Sequence, residues 1–224
     1  MTDLSLLHWQ PPAAPAPVTL RGRYVTLEPL AGHHADSLWR AVHAHNELFA
    51  WLAHGPFANE TVLMESLDHW RHIEKAVLFA IVPAETGLAA GWASYMRAVP
   101  QHGVVEVGNV LFSPGLQRTR AATEAMYWMA AHVFETLGYR RYEWKCNAEN
   151  HASRRAAQRL GFTYEGTFRQ HMVVKGRNRD TAWFSMLDHE WPARKRALEA
   201  WLDPQNFDQE GFQKLSLEQL RSAE

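Results

Sequence analysis

Two hydrophobic rhythms run along the chain and set out its elements. Period-two alternation, which sends successive side chains to opposite faces of a strand, is clearest where Tyr142, Trp144 and Cys146 alternate with Arg141, Glu143 and Lys145. Helical spacing is clearest at Ala122, Met126, Met129, Val133 and Leu137, and Gly138 is a natural residue to end that helix. The same reading predicts strands over 24–30, 77–83, 88–97 and 104–112, and helices over 34–45 and 60–73. A shorter helix over 152–160 has Asn150 as its N-cap and Gly161 as its stop. Segments 162–174 and 181–187 read as a hairpin around Lys175-Gly176-Arg177-Asn178. A helix over 192–202 follows. A last short one is marked by Ser216 and Gln219 as a capping box, with Leu215 and Leu220 spaced as a staple.

This order of elements is mixed α/β (α+β), with helices on the faces of a sheet that is parallel in its middle. Residues 10–17 carry too many prolines for a helix or a ladder. The expected organisation is a flexible Pro/Ala-rich arm over 1–18, one domain over 19–191 and a helical extension over 192–224.

Composition narrows the function classes. A chain of 224 residues is long enough for one domain with a full core. Its net charge of −1 provides no electrostatic footprint for nucleic acid or an anionic membrane. The single Cys146 excludes an internal disulfide and suits a reducing cytoplasm, and its neighbours make it a buried strand residue. No apolar run is long enough to span a bilayer, so a soluble cytoplasmic protein is expected. Metal binding is set aside because His33, His34, His43, His45 and His54 lack close carboxylate or thiol company in the sequence.

The most informative segment is Leu116-Gln117-Arg118-Thr119-Arg120-Ala121-Ala122-Thr123-Glu124. It follows the strand over 104–112 and a Ser113-Pro114-Gly115 turn, and it opens a helix. A helix start carries unpaired N–H groups and partial positive charge, so cations there cost roughly 0.3–1 kcal/mol each. A bound polyanion removes the conflict. The next helix repeats it, with Arg154 and Arg155 in the opening turn and Arg159 one turn later. For either helix alone, solvated surface charge is at least as good a reading. Two such starts after consecutive strands favour one phosphate-bearing ligand along one sheet edge.

The stretch 106–165 resembles the GCN5-related N-acetyltransferase superfamily. Gln117-Arg118-Thr119-Arg120-Ala121-Ala122 occupies that family's pyrophosphate loop, and Thr123 continues it; Asn150, Ser153 and Leu160-Gly161-Phe162 match a second family signature. The opening over 20–30, the closing over 180–187 and Glu190-Trp191 are similar to the branch of ribosomal-protein N-terminal acetyltransferases. Arg118 and Arg120 stand where glycines are usual, and an arginine there can bring its own guanidinium to a phosphate.

The resemblance implies an acetyl-CoA-dependent N-acetyltransferase using direct transfer to a primary amine of a small molecule, an amino acid or a peptide N-terminus. Asn109, Val110 and Leu111 would offer backbone to the pantetheine arm, and Gln117 to Thr123 with Asn150, Ser153, Arg154 and Arg155 would hold the rest of the cofactor. Ser153 would also assist the departing sulfur, since the family's tyrosine acid is replaced by Ala157. Glu106, flanked by valines, is the first candidate base, although alternation also allows it to be a charge on an exposed strand face. His171, beside Met172 where the ribosomal branch has a glutamate, is the second. Trp39, Phe49, Trp51, Phe57, Trp92 and Tyr95 are candidate walls for the acceptor pocket, or simply core. Trp201, Phe207 and Phe212 lie in a tail that the family core does not need, and they are expected to be exposed, where they could serve a homodimer contact. The competing reading is a non-catalytic acyl-CoA sensor on the same fold.

Overall fold

The computed structural model describes residue 6 and residues 8–222. Eight strands form one sheet: β1 (Leu20–Arg21), β2 (Val25–Pro29), β3 (Val77–Pro83), β4 (Gly91–Val99), β5 (Val104–Phe112), β6 (Arg141–Asn147), β7 (Thr163–Val174) and β8 (Arg177–Leu187). Their order is β1-β2-β3-β4-β5-β6-β8-β7, and only the β5–β6 pair is parallel. The helices are α1 (Ala35–Val42), α2 (Glu60–Glu74), α3 (Arg120–Ala131), α4 (His151–Leu160), α5 (Trp191–Leu202) and α6 (Leu217–Ser222).

Alternation divides the sheet between two cores. Val105 and Val107 of β5, Tyr142, Trp144 and Cys146 of β6, and Ala182, Phe184 and Met186 of β8 pack with Met126, Met129 and Val133 in the larger one. Leu38, Val42, Leu63 and Leu67 of α1 and α2 pack with Leu78, Ala80, Trp92 and Leu111 in the smaller. Glu124 joins α3 to the sheet edge. Its carboxylate accepts the backbone N–H groups of Arg23, Tyr24 and Val25 at 2.9, 2.6 and 2.9 Å, which satisfies donors that would otherwise be buried unpaired. Gly22 makes that approach possible, since a Cβ there would lie 2.4 Å from Glu124 Oε2.

Several boundaries differ from the sequence reading for local reasons. The α-helical ladder of α3 ends at Ala131, and the chain continues as one π-helical stretch, His132–Thr136, before Gly138 at φ 75°. The hairpin turn is shorter than expected. Lys175 and Gly176, both at positive φ (50° and 73°), make a two-residue loop, and β8 begins at once at Arg177.

Among the described residues, both the arm and the tail pack more closely than expected. The arm is not free of the domain: Tyr139 Oη donates to the Ala13 carbonyl at 3.1 Å, and Trp9 lies against Gly103. In the tail, Trp201 is buried rather than exposed. Its ring meets Phe207 edge-on at 5.2 Å, and its indole N–H donates to Gln213 Oε1 at 2.7 Å. Phe212 remains exposed. The capping box is formed as read, with Ser216 and Gln219 exchanging backbone-to-side-chain hydrogen bonds. Among the described residues, no helix is long and apolar enough to cross a membrane.

Candidate active site

The site begins where two parallel strands part. β5 and β6 pair from Val104↔Arg141 to Val107↔Trp144 and no further. On its other side β5 bulges: Asn109 and Val110 occupy the register between Gly108↔Ser94 and Leu111↔Trp92. A bulge bends its strand and re-aims the side chains around it. Asn109 takes φ 48° to make this one. Its side chain is pinned by two other elements, because Trp92 Nε1 lies 3.5 Å and His54 Nε2 lies 2.9 Å from Asn109 Oδ1. An indole nitrogen only donates, so Oδ1 is the acceptor, His54 carries its proton on Nε2, and Nδ1 holds the lone pair. Burial holds the His54 pKa below its usual value, against the pull of the Asn109 bond and aided by the charge of Lys175.

From this parting runs a groove of about 1310 Å³, walled by both helix starts. Gln117, Arg118, Thr119, Ala122 and Thr123 line it from the α3 side, and Asn150, Ser153 and Arg155 from the α4 side, with Val110 and Leu111 at the strand. Each mouth is capped by its own residue. Thr119 Oγ1 accepts Ala122 N–H at 3.1 Å and Asn150 Oδ1 accepts Ser153 N–H at 3.0 Å. Arg118 sits at φ 62°, the left-handed region that suits the glycine it replaces. Among the described residues Arg118 and Arg155 have no hydrogen-bond or ion-pair partner, which leaves both guanidinium groups available to an anion. Ser153 Oγ accepts the Trp144 indole N–H at 2.9 Å and is within hydrogen-bond reach of the Cys146 thiol, which burial keeps protonated.

Other residues expected to hold a cofactor do not line the groove. Arg120 leaves the groove: its guanidinium lies 5.1 Å from the Tyr24 ring centre and 4.5 Å from that of Phe207, a cation–π sandwich that fastens the tail. Ala121 is buried beneath the helix start. Arg154 donates to the Ala148 carbonyl at 3.2 Å and lies over the Tyr164 ring, so it braces the loop before α4. Of the aromatic residues expected in a pocket, Trp51 lines the groove. Phe49, Trp92 and Tyr95 are core, with Tyr95 Oη donating to the Met129 carbonyl at 2.8 Å, while Trp39 and Phe57 flank the smaller core.

Glu106 points to the face opposite Val105 and Val107, and it is buried there in a line of charges. Arg97 links Glu74 and Glu106 at 3.3 Å each, Lys145 links Glu106 (2.9 Å) and Glu143 (2.8 Å), and Arg141 links Glu143 (2.7 Å) and Glu165 (2.6 Å). Both cations reach the same Glu106 oxygen, Oε2. The exposed-face alternative is thus ruled out by burial. Lys145 also lies 3.8 Å from the Trp183 ring centre. His171 lies 6.0 Å from the centre of that ring, with Nδ1 2.9 Å from Thr181 Oγ1, and neither it nor Glu106 lines the groove. Lys145 was missed as a site residue because alternation marks it only as polar.

Further along, the groove is walled by residues no motif marked: Trp201 of α5, Gln213 and Ser216 of the following loop, and Arg221 of α6, facing Arg159 of α4. The tail therefore completes a wall that the core begins. Elsewhere, the histidine pair has more company than its sequence suggested: Glu28 Oε2 lies 3.2 Å from His34 Nε2 and 3.6 Å from His33 Nε2. His34 Nδ1 accepts the Ala31 N–H at 3.1 Å, so Nε2 bears the proton and donates to Glu28.

The comparisons with known proteins agree with this geometry. A family model described as an acetyltransferase (GNAT) domain matches residues 25–163. A crystal structure of a GCN5-related N-acetyltransferase from Brucella melitensis is 47% identical over 96% of this chain and 99% of that one, with a TM-score of 0.92. A probable acetyltransferase of the GNAT family from Chromobacterium violaceum ATCC 12472 is 41% identical over 84% and 95%, with a TM-score of 0.79. At 16% identity, spermidine N-acetyltransferase from Vibrio cholerae, in complex with CoA and spermine, shares the fold over 76% and 99%, with a TM-score of 0.62. No curated protein matches the chain. With more than half of its length matched by the family model, and a relative at nearly half identity over almost its whole length, the chain belongs to the GNAT acetyltransferase family.

Proposed function

We propose that the chain transfers an acetyl group from acetyl-CoA to a primary amine, directly and within a ternary complex. One coincidence carries the reading: the β5 bulge, the parting of β5 from β6 and a groove between two cationic helix mouths meet at one point. Bound there, the cofactor would supply an activated thioester carbonyl. Arg118, Arg155 and the N–H groups at the α3 start would hold its phosphates. The free edge of β5 at Val110 and Leu111 offers backbone donors to an extended arm, as an added strand would use them. Ser153, with its oxygen accepting from Trp144 and a protonated Cys146 thiol as its other neighbour, would turn its proton to stabilise a departing thiolate.

Glu106 is our candidate to take the proton of the amine through a bridging water, using Oε1 while Lys145 and Arg97 hold Oε2. His171, occupied by Thr181, ranks below it. The acceptor class remains a small amine, an amino acid or a peptide N-terminus. A groove open along both helix mouths favours donor binding over a closed, degenerate cradle.

Calorimetry with acetyl-CoA, followed by thiol release across a panel of amines, tests the proposal. Binding with acceptor-dependent release is the expected result. Absence of acetyl-CoA binding overturns it, and binding without release by any acceptor transfers the case to the sensor reading.

A further inference from the structure

Arg159 and Arg221 are adjacent cations in a groove wall, and among the described residues no carboxylate lies within 4.0 Å of either guanidinium. Their hydrogen bonds and ring contacts are with neutral groups, and Glu218, which lines the same wall, is the nearby acid that Arg221 senses. Arg159 Nη1 donates to Thr123 Oγ1 at 3.2 Å, and its guanidinium lies 4.6 Å from the centre of the Trp201 ring. Arg221 Nη1 donates to the Arg159 carbonyl. A third arginine, Arg194, stands behind them, with Nε donating to the Gly161 carbonyl at 3.1 Å.

Like charges gathered in a partly desolvated wall destabilise one another. Burial and the charge of Arg221 hold the Arg159 pKa below its usual value, and burial and Arg194 do the same to Arg221, with Glu218 the one acid that offsets it. Packing alone would be served better by neutral side chains. The arrangement becomes favourable when a multiply charged anion arrives, since two guanidiniums with fixed planes offer paired, charge-assisted donors. A phosphomonoester, with close to two charges at neutral pH and three acceptor oxygens, matches this demand better than a carboxylate.

Position distinguishes this anion from the one expected at the helix mouths. Arg159 lies in the last turn of α4, six residues beyond Ser153, which at about 1.5 Å per residue is roughly 9 Å along the helix. Arg118 and Arg155 serve the near end of the groove. Arg159 and Arg221 serve the far end, where Gln213 and Ser216 add neutral donors and Glu218 is the one carboxylate in the wall, against three arginines with Arg194 behind. Arg221, Gln213 and Ser216 all lie beyond the segment matched by the family model, 25–163, so this end is built by the tail.

We propose that Arg159 and Arg221 form a phosphomonoester site, completed by the C-terminal tail, that engages the 3′-phosphate of coenzyme A. The proposal rests on the acetyl-CoA reading above. It makes the tail a device for selecting a donor with a phosphorylated ribose over carriers that lack one.

The test compares CoA, 3′-dephospho-CoA and inorganic phosphate by calorimetry with the full chain, using wild type, Arg221→Gln and Arg221→Lys. Wild type is expected to bind CoA at least about tenfold more tightly than 3′-dephospho-CoA, with millimolar-range phosphate competing. Arg221→Gln should erase most of that preference by weakening CoA alone, and Arg221→Lys should restore part of it. Equal wild-type affinity for CoA and 3′-dephospho-CoA overturns the proposal, and this comparison needs no variant to fold. Equal weakening of both ligands by Arg221→Gln also overturns it, because it makes the arginine structural. If wild type binds neither nucleotide, both the proposal and the acetyl-CoA reading fall, whereas equal binding removes the proposal alone.

Discussion

Lys145 Nζ lies 2.9 Å from Glu106 Oε2, and both side chains are almost wholly buried between neighbouring parallel strands. A buried ion that loses its partner is left with an uncompensated desolvation cost, typically about 3–5 kcal/mol. The two ends of this pair are not equivalent. Lys145 keeps Glu143 at 2.8 Å if Glu106 is neutralised, whereas removing Lys145 leaves Glu106 and Glu143 facing each other with Arg97 and Arg141 only at their outer sides. Lys145→Met is therefore expected to cost about 3–5 kcal/mol and Glu106→Gln less than about 2 kcal/mol. Urea denaturation of the two variants compares them, and equal losses would contradict the arrangement.

That asymmetry makes Glu106→Gln usable in kinetics, because the fold survives it. If Oε1 collects the amine's proton, kcat should fall by about 10²-fold or more at neutral pH, with the KM for acetyl-CoA nearly unchanged. Ser153→Ala should also lower kcat, by about tenfold or more, through a less stabilised thiolate. Steady-state rates with each variant decide both roles separately. Wild-type turnover in Glu106→Gln would leave the glutamate as a structural anion.

Arg118 and Arg120 are two residues apart and should behave in opposite ways. Arg118 lines the groove at φ 62°, a conformation that costs a non-glycine residue roughly 1–2 kcal/mol. Arg118→Gly relieves this strain while giving back some unfolded-state entropy, for a net stabilisation of up to about 1 kcal/mol. The same change weakens acetyl-CoA binding. Arg120→Gln should leave that affinity unaltered but release Phe207, lowering the thermal midpoint and exposing the tail to limited proteolysis. Paired calorimetry and melting curves check both, and weaker acetyl-CoA binding in Arg120→Gln would refute the division.

Much of the fold was legible because its signals are local. The alternation in β6, the Asn150 cap and the Ser216–Gln219 box need only neighbouring residues, and all are formed. The site was legible only in part, because side-chain direction depends on remote partners. Arg120 looked like Arg118 until Tyr24 and Phe207 drew it away, and Arg154 was taken by Ala148 and Tyr164. Glu106 found Lys145 on the neighbouring strand, a pairing fixed by the β5–β6 register. Aromatic spacing could not separate Trp51 in the groove from Trp92 in the core, since that choice depends on how the chain between α1 and α2 folds back onto β5. Arg221 carried no signal; its meaning comes from Arg159 beside it in the groove wall.

Two histidines, His132 buried and His54 half-buried, give the stability of the fold a pH dependence with a definite sign. His132 stacks on Tyr95 with its Nε2 unpartnered, and His54 is held against Asn109; burial is the first cause that lowers both pKa values. Both therefore take up their protons at lower pH in the folded protein than in the unfolded chain, whose imidazoles do so near pH 6.5. As pH falls through that value the unfolded chain binds more protons than the folded one, so stability must decrease. The decrease ends once pH passes the lower folded values, after which both states are protonated. The carboxylates of Glu135 and Glu165, held low by their cationic partners together with Trp191 and Ser185, contribute their own loss only at more acidic pH. Urea midpoints measured from pH 7.5 to 5.5 should fall for wild type, and His132→Gln should flatten the slope whatever its effect on the absolute midpoint. An identical slope in wild type and variant would show that His132 carries no such linkage.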